Sequence, residues 1–449
     1  MKVAVIGAGI IGVTTAYELA GDGHEVTVFE RRGSVAAETS FANAGVIAPG
    51  YVTPWAAPGM PAKVLRHLLS RHTAVRVHPS LRAGDIAWIW RWRRACRLGS
   101  YQASRLRMQR LAVFSRERLH RVTRELKLDY ERRDGYLVLL RSAKDLALVQ
   151  PGLASLAELN TRFEMLDAAQ CRVVEPDLSA ETDLYGGIHL PDDEVGNCRQ
   201  FATLLRAEAQ RLGVRFRFHT QVQKIVAGPA PQLVHVYAPP EEASGSMSVS
   251  AEGAPQDAQD TQPMELRPVA EGFDALVVCA ALASTALLRP LGLKLPLQAV
   301  YGYSITAPLR QHEGHPDHGP RSALMDERYK VAISRLGARV RVAGGAEIGG
   351  TLDRHDPRAL ATLYKVLHDW FPGSARLGQA QVWKGARPML PDGPPVLGAS
   401  GIAGVWLNLG HGSSGWALAC GSARLLADAL AGRPPILDVE GFGVERLRE

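Results

Sequence analysis

Val3–Ile6 is an uncharged run that reads as a short buried strand, and Ile10–Ala20, after a glycine-rich turn, reads as a helix. His24–Glu30 ("HEVTVFE") alternates apolar and polar positions and predicts a second strand, so a β-α-β unit opens the chain. Residues 33–61 are small, polar and rich in Pro and Gly, and read as a long ordered loop. Residues 62–128 carry mainly helical patterning. Gly135–Arg141 and Gly186–Pro191 read as strands, residues 199–212 as a helix, and Val214–Gly228 as a strand and its continuation. Residues 238–263 hold almost no large apolar side chains and predict a flexible insertion, about 238–268, between two hairpin strands. Asp274–Ala280 returns as a core strand, and strands alternate with turns from 300 to 350. "GVWLNLGHGSSGWALACGSARLLADALAG" closes the chain as strand, glycine-rich turn and helix.

Composition narrows this little. With 449 residues, 46% hydrophobic and 22% charged, the chain suits one large layered enzyme or a few intertwined domains. The uncharged residues 3–17 are interrupted by three glycines and preceded by a single lysine, which favours strand-turn-helix over a signal peptide. No run of 18 apolar residues predicts a membrane span. Five scattered cysteines without a C-x-x-C predict a reducing compartment, no disulfide framework and no zinc site. Charge changes the picture more. The net +7 is local: residues 61–110 hold twelve Lys or Arg and one acid, Asp85.

Gly7, Gly9 and Gly12 form G-x-G-x-x-G between a strand and a helix. The first permits the tight turn, the second lets backbone approach a pyrophosphate, and the third, with Ala16, lets the helix pack close. Glu30 ends the second strand, where a ribose diol wants a carboxylate. It would repel a 2′-phosphate despite Arg31 and Arg32, so NADP is not expected. "ETSFANAGVIAPG" (Glu38–Gly50) suits either the lining of a flat ring or diphosphate, or a solvated loop. In "KGARPMLPDGPPVLG", Arg387 is held stiffly before Pro388; it suits bidentate carboxylate recognition, or a surface pair with Asp392. In "NLGHGSSGWALACG", Gly410, Gly412 and Gly415 surround His411 at a second strand-to-helix turn, suited to a ring-adjacent or a structural histidine. His312, His315 and His318 ("HEGHPDHG") lack a helix or a completing acid, so no metal is expected. "DIAWIWRWRRACR" (Asp85–Arg97) reads as a core helix with Trp inside, as a surface for anionic lipid, or as an RNA-stacking element; the dinucleotide signature makes nucleic acid unexpected.

Together, "VIGAGIIG", "GHEVTVFER", "ETSFANAGVIAPGYVTPWAAPGMP", "DERYKVAISR", "RPMLPDGPPVLG" and "VWLNLGHGSSGWALACGSARLLAD" resemble the FAD-containing small subunits of bacterial D-amino acid dehydrogenases. That family lies in the wider group of D-amino acid oxidases, glycine oxidase and sarcosine oxidase. The resemblance covers the chain except about 238–268. It implies an α/β fold: a Rossmann-like FAD domain (1–60, 192–295 and 390–449) interleaved with an α+β, mixed-sheet substrate domain (61–191 and 296–389). It assigns the cofactor to Gly7, Gly9, Ile10, Ile11, Gly12, Glu30, Arg31, Thr39, Ser40, Asn43, Ala44 and Gly45. Val222, Gly410, Gly412, Ser413 and Ser414 complete that set. Arg387 would grip the substrate carboxylate, Tyr303 and Tyr329 would contact substrate, and His411 would sit at the flavin. The sequence departs from the family at Tyr301, where members carry Lys, and in the insertion.

The implied reaction is FAD-dependent oxidative deamination of a D-amino acid, with electrons passed to a membrane quinone or another carrier. An alternative is an oxidase or dehydrogenase of secondary amino acids such as D-proline, D-hydroxyproline or sarcosine-like substrates. The implied location is the bacterial cytoplasm, with peripheral contact to anionic membrane through 61–110.

Overall fold

The computed structural model of the chain describes residues 1–66, 72–78, 81–158, 161–239, 267–311 and 318–447. His312, His315 and residues 240–266 of the expected insertion lie outside the described residues.

The opening β-α-β unit forms as its pattern predicts, with strands Lys2–Ile6 and Glu25–Phe29 flanking the helix Ile10–Gly21. It nucleates a six-stranded sheet in the order Val396–Ala399, Val405–Leu409, Ala275–Val278, Lys2–Ile6, Glu25–Phe29, Arg215–Arg217. All neighbours are parallel except the first pair. Parallel strands are covered on both faces, which is why Val3–Ile6 and Ala275–Val278 read as unbroken apolar runs. One face packs on the helices Ile10–Gly21, Cys198–Arg211 and Gly415–Leu430. The other packs on Val222, Ile225 and Leu233 of a three-stranded antiparallel sheet. In that sheet Gln232–Tyr237 pairs with Val269–Gly272, so the expected insertion does join two hairpin strands.

A ten-stranded mixed sheet stands beside the first. Its main path runs Gln381–Met389, Gln298–Pro308, Arg339–Ile348, Val331–Leu336, Ala323–Asp326, Arg133–Leu140, Gly186–Val195, Val46–Ile47. Val46–Ile47 lies within the segment read as one long loop; it pairs with Val195 and Glu194 and carries that segment into the larger sheet.

Alternation along Gln298–Pro308 divides the chemistry. Tyr303, Ile305 and Ala307 pack toward the helix Pro357–Trp370, against Val366 and Trp370. Val300 joins the opposite cluster with Trp88 and Trp92 of the helix Ala83–Ala95. That helix is two-sided: Asp85, Trp88 and Trp92 are buried, whereas Ile86 and Trp90 are exposed. Arg93 and Arg94 also face solvent. The core-helix reading therefore holds for two of its three tryptophans.

The glycine turn shows how tightly the nucleotide corner is built. Gly7 has φ +101°, and a Cβ on Gly12 would stand 1.8 Å from the Gly7 carbonyl oxygen. A Cβ on Gly9 would meet nothing nearer than Ser40 Oγ at 3.7 Å. Gly12→Ala is expected to lower the thermal unfolding midpoint, at a cost of about 3 kcal/mol, while Gly9→Ala leaves it near that of the unaltered protein. Equal midpoints for the two variants in a thermal-shift measurement would contradict this packing.

Candidate functional site

The parallel strands Lys2–Ile6, Glu25–Phe29, Ala275–Val278 and Val405–Leu409 end along a single cleft, as ligand sites in open parallel sheets do. The cleft encloses about 1100 Å3, open solvent at its mouth included. Gly7, Gly9, Ile10 and Ile11 line it, and Glu30 and Arg31 stand at the end of the second strand. Thr39 and Ser40 form one wall, Val222 another, and Gly410, His411 and Gly412 the far end. Gly12 lies beneath, against Gly7, and does not line the cleft.

Two helices begin here without a side-chain cap: Ile10–Gly21 behind Gly9 and Gly415–Leu430 behind Ser414. Uncapped N-termini leave backbone N–H donors and a positive dipole end for an anion. At the first, Ile10 N–H is the only donor taken by a side chain among the described residues, and Ser40 Oγ accepts it at 3.2 Å. Glu30 accepts from Ala8 N–H at 2.7 Å and Arg32 N–H at 2.8 Å. Burial pushes its carboxyl above the usual carboxylate range, and those two N–H donors pull it back. Arg31 is committed to Glu38, with Nη2 at 2.6 Å, so it is neutralised rather than offered to a 2′-phosphate. Asn408 also lines the cleft; its Nδ2 donates to Thr15 Oγ1 at 2.9 Å, and its fully buried Oδ1 has no partner among the described residues. A long cleft with an anion-binding turn at its middle, a carboxylate at one end and an orphaned amide acceptor at the other fits an extended dinucleotide such as FAD.

The loop 39–45 connects this cleft to the larger sheet. Thr39 Oγ1 donates to Ala386 O at 2.7 Å, and Ser304 Oγ donates to Ala42 O at 2.9 Å. Arg341 Nη1 donates to Asn43 O at 3.0 Å, and Ser334 Oγ donates to Ala44 O at 2.7 Å. Gly45 N–H closes on Asn43 Oδ1 at 3.0 Å. Asn43, Ala44 and Gly45 are therefore fastened to the sheet and do not line the cleft. Ser413 is exposed and Ser414 half-buried in the 3-10 turn Gly412–Ser414, also off the cleft. Sequence reasoning missed Ser304, Ser334 and Arg341; a hydroxyl in an apolar strand was the available signal.

Arg387 lies on the outer strand Gln381–Met389, opposite Val300. The next residue, Pro388, lines the cleft, and Met389 makes a backbone bridge with His411. The guanidinium folds over Gly302, where a Cβ would come within 2.2 Å of Nη2. Among the described residues its one hydrogen bond runs from Nη1 to Gly345 O, at 2.7 Å. Among the described residues no carboxylate faces it; Asp392 pairs instead with Arg446 at 2.7 Å. Burial alone pulls its pKa down to about 10, so it stays charged at neutral pH. An uncompensated guanidinium in a sheltered place is a receptor for an anion.

The two tyrosines expected beside it are elsewhere. Tyr303 is one residue out of phase with Gly302 and points to the other face. Its hydroxyl donates to Glu347 and accepts from Asp356 N–H at 3.0 Å. Lys384 completes that buried group, 3.1 Å from Glu347 and 4.6 Å above the Tyr301 ring. Lys384, from the neighbouring strand, thus lies over the Tyr301 ring, on the same buried side as Glu347. Tyr329 sits in a hairpin turn against Arg141 and Lys365, away from Arg387. From the same "DERYK" motif, Glu327 and Lys330 do reach the loop after Ile47, where both bond Tyr51 Oη.

His411 lines the cleft but is tied into the protein. Ser422 Oγ donates to Ala419 O at 3.1 Å, so His411 Nε2, 3.0 Å from that oxygen, is the donor between them. Burial pulls its pKa down to about 3, which keeps the ring neutral and removes it as a proton carrier at physiological pH.

Comparison with known proteins agrees with this geometry. A family profile described as FAD dependent oxidoreductase matches residues 2–429. A D-amino acid dehydrogenase of Rhizorhabdus wittichii is 41% identical, covering 99% of this chain and 100% of its own. Glycine oxidase from Geobacillus kaustophilus superposes with a TM-score of 0.71 at 19% identity, over 99% of this chain and 98% of its own. L-Proline dehydrogenase from P. horikoshii gives 0.68 at 15%, over 99% and 97%. At those identities the two structures speak for the fold alone.

The unfolded chain protonates histidine near pH 6.5 and the folded His411 only near pH 3, so its contribution to stability is complete above 6.5 and shrinks as pH falls toward 3. The difference in unfolding free energy between the unaltered protein and His411→Gln should therefore narrow by about 2 kcal/mol from pH 8 to pH 5. Urea titrations at the two pH values read it, and a constant difference would refute the assignment.

Proposed function

Because the chain belongs to the FAD-dependent oxidoreductase family, we propose that it deaminates D-amino acids oxidatively to 2-oxo acids and ammonia, passing electrons to a quinone or another carrier. The observation that carries this reading is Arg387: a sheltered guanidinium with no acid partner, on the strand that borders the cofactor cleft. The name shared by relatives about 40% identical over their whole length supports the choice of donor.

Gly7, Gly9 and the N-terminus of Ile10–Gly21 would hold the diphosphate, and Glu30 the ribose. Val222 would hold the adenine side, with Thr39, Ser40, Gly410 and Gly412 along the rest of the molecule. Bound FAD supplies a two-electron acceptor for the hydride of the substrate Cα–H.

The chain's part is positioning. Arg387 binds the substrate carboxylate through the nitrogens not given to Gly345 O, in a fork that fixes orientation as well as charge. Met389 and His411, bridged through their backbones, fix that fork relative to the cleft. Only the neutral amine can release the hydride, and the charged guanidinium favours loss of the ammonium proton to solvent before that step. His411, neutral and bonded to Ser422, stays out of proton transfer. Water then hydrolyses the released imino acid to the 2-oxo acid and ammonia.

The acceptor side rests on the helix Ala83–Ala95. Its outward face reads Ile86, Trp90, Arg93 and Arg94, with Arg97 and Leu98 following, and its one acid, Asp85, caps the helix from inside. The Arg94 guanidinium lies 5.0 Å from the Trp90 ring centre. Exposed indole and isoleucine ringed by arginines that pair with no acid among the described residues suit an anionic bilayer surface, the place where a quinone is found. Among the described residues no helix is long and apolar enough to cross a membrane. This reading places the protein on the inner face of the cytoplasmic membrane.

Anaerobic D-alanine should bleach the flavin absorbance of the purified protein, while L-alanine should not. Arg387→Ala should raise KM about a hundredfold or more with flavin content unchanged. Loss of flavin from that variant would move the arginine out of the substrate site, and faster bleaching by D-proline than by any primary D-amino acid would favour the secondary-amine reading. The protein should sediment with anionic vesicles at low salt and leave them at high salt, and Trp90→Ala with Arg94→Ala should weaken this about tenfold. Equal partition to neutral vesicles would overturn the docking face.

A further inference from the structure

Gly302 and Gly385 are direct partners across the two outer strands of the larger sheet. Two side chains from the outer strand fold into the hollow that this pair leaves. Arg387 covers Gly302, and the Trp383 indole covers Gly385, where a Cβ would lie 1.7 Å from Cη2. Trp383, Gly385 and Arg387 alternate onto one face of the strand, so guanidinium and indole approach the glycine pair from its two ends. Neither glycine tolerates a side chain here.

The indole has no ordinary structural employment. Trp383 is only half-buried and, among the described residues, belongs to none of the buried apolar clusters and stacks on no other ring. Trp88, Trp92 and Trp370 are all packed into such clusters. On the same face Ser304, the partner of Trp383, holds Ala42 O of the loop that borders the cofactor cleft. The half-buried indole thus shares one face of the sheet with the Arg387 guanidinium and with the serine that fastens that loop. Among the described residues the Arg387 guanidinium has no ion-pair partner, its recorded hydrogen bond going to the Gly345 carbonyl.

We infer that Trp383 is a specificity-determining residue, forming the wall against which the substrate side chain lies once its carboxylate is on Arg387, and that it selects D-amino acids with uncharged, apolar side chains. This rests on the deamination reading above. An indole face rewards apolar surface by taking it out of water. A guanidinium without an acid partner offers nothing to the terminal ammonium of D-lysine and gives the second carboxylate of D-glutamate a competing mode that misplaces Cα.

The test is the ratio of kcat/KM for D-leucine to that for D-alanine, measured with a dye acceptor on flavin-loaded enzyme. Trp383→Ala should lower this ratio by about tenfold or more, through KM, and Trp383→Phe should restore most of it. Flavin content and the thermal midpoint, taken alongside, separate this from a folding defect, which would lower both substrates together and leave the ratio unchanged. An unchanged ratio in both variants overturns the role of Trp383 and leaves the deamination reading standing. If the alanine variant does not retain flavin, Trp383→Phe against Trp383→Met carries the same comparison, with the ratio lower in Met expected and equality overturning the proposal. A flavin in the unaltered enzyme that no D-amino acid reduces overturns the reading and the inference with it. D-Lysine or D-glutamate outperforming D-leucine in the unaltered enzyme would overturn the apolar preference alone.

Discussion

Ser40 Oγ accepts from the first N–H of the nucleotide helix while the adjacent Thr39 Oγ1 donates to the strand that carries Arg387. Within the next five residues, Ser304, Arg341 and Ser334 seize three successive carbonyl oxygens from three strands of the larger sheet. Each bond is worth about 1 kcal/mol net, but their joint effect is geometric. They fix the distance between a cleft built at the carboxyl ends of one sheet and a guanidinium on the edge of another. A hydride transfer tolerates little error in that distance. The buried Arg341 charge, pulled down to about 10 by desolvation, is the clearest cost accepted for this fastening.

The nucleotide corner was legible because its chemistry is local. Gly7, Gly9, Gly12 and Glu30 lie within one β-α-β unit, and the steric reasons for the glycines follow from adjacent residues. Gly410 and Gly412 were legible as a second glycine-rich strand-to-helix turn, whereas Val222 was named only through the resemblance; all three line the cleft from far along the chain. Arg387 stood out because it precedes a proline in a run of few charges. Tyr303 and Tyr329 lie away from Arg387 for two different reasons: Tyr303 follows Gly302 in a strand and so faces the opposite side, and Tyr329 sits in a turn against Arg141 and Lys365. Glu347 and Lys384, which hold Tyr303, come from two other strands. The helix Pro357–Trp370 on that side had a readable start in Asp356 and Pro357, where the carboxylate accepts Arg358 N–H.

The two faces of the outer strands carry opposite solutions to the same electrostatic problem. On one, Lys384 is almost wholly buried and fully paired, with Glu347 and the carbonyls of Thr351 and Arg354 as acceptors. On the other, Arg387 is sheltered and left with a single carbonyl. A paired buried cation stabilises a fixed structure, whereas an unpaired one stores an interaction for something that comes and goes. The alternation of one strand puts these two residues, three positions apart, on opposite faces, with Lys384 bracing the sheet from behind and Arg387 in front.

The helix Ala83–Ala95 extends the argument to the surface. Its inner face, through Trp88 and Trp92, packs on Val300 and Met389, the residues opposite and two beyond Arg387, and Trp88 Nε1 donates to Met389 O at 3.1 Å. Its outer face presents Ile86, Trp90 and the arginines. The element that backs the substrate strand is thus the element that would meet a bilayer. Were that face merely solvated, selection for solubility would favour acids and lysines around Trp90 over an indole and a cluster of one sign. On the proposed reading one short helix would serve as both wall and foot, because the packing that shapes the site would also orient it to the surface.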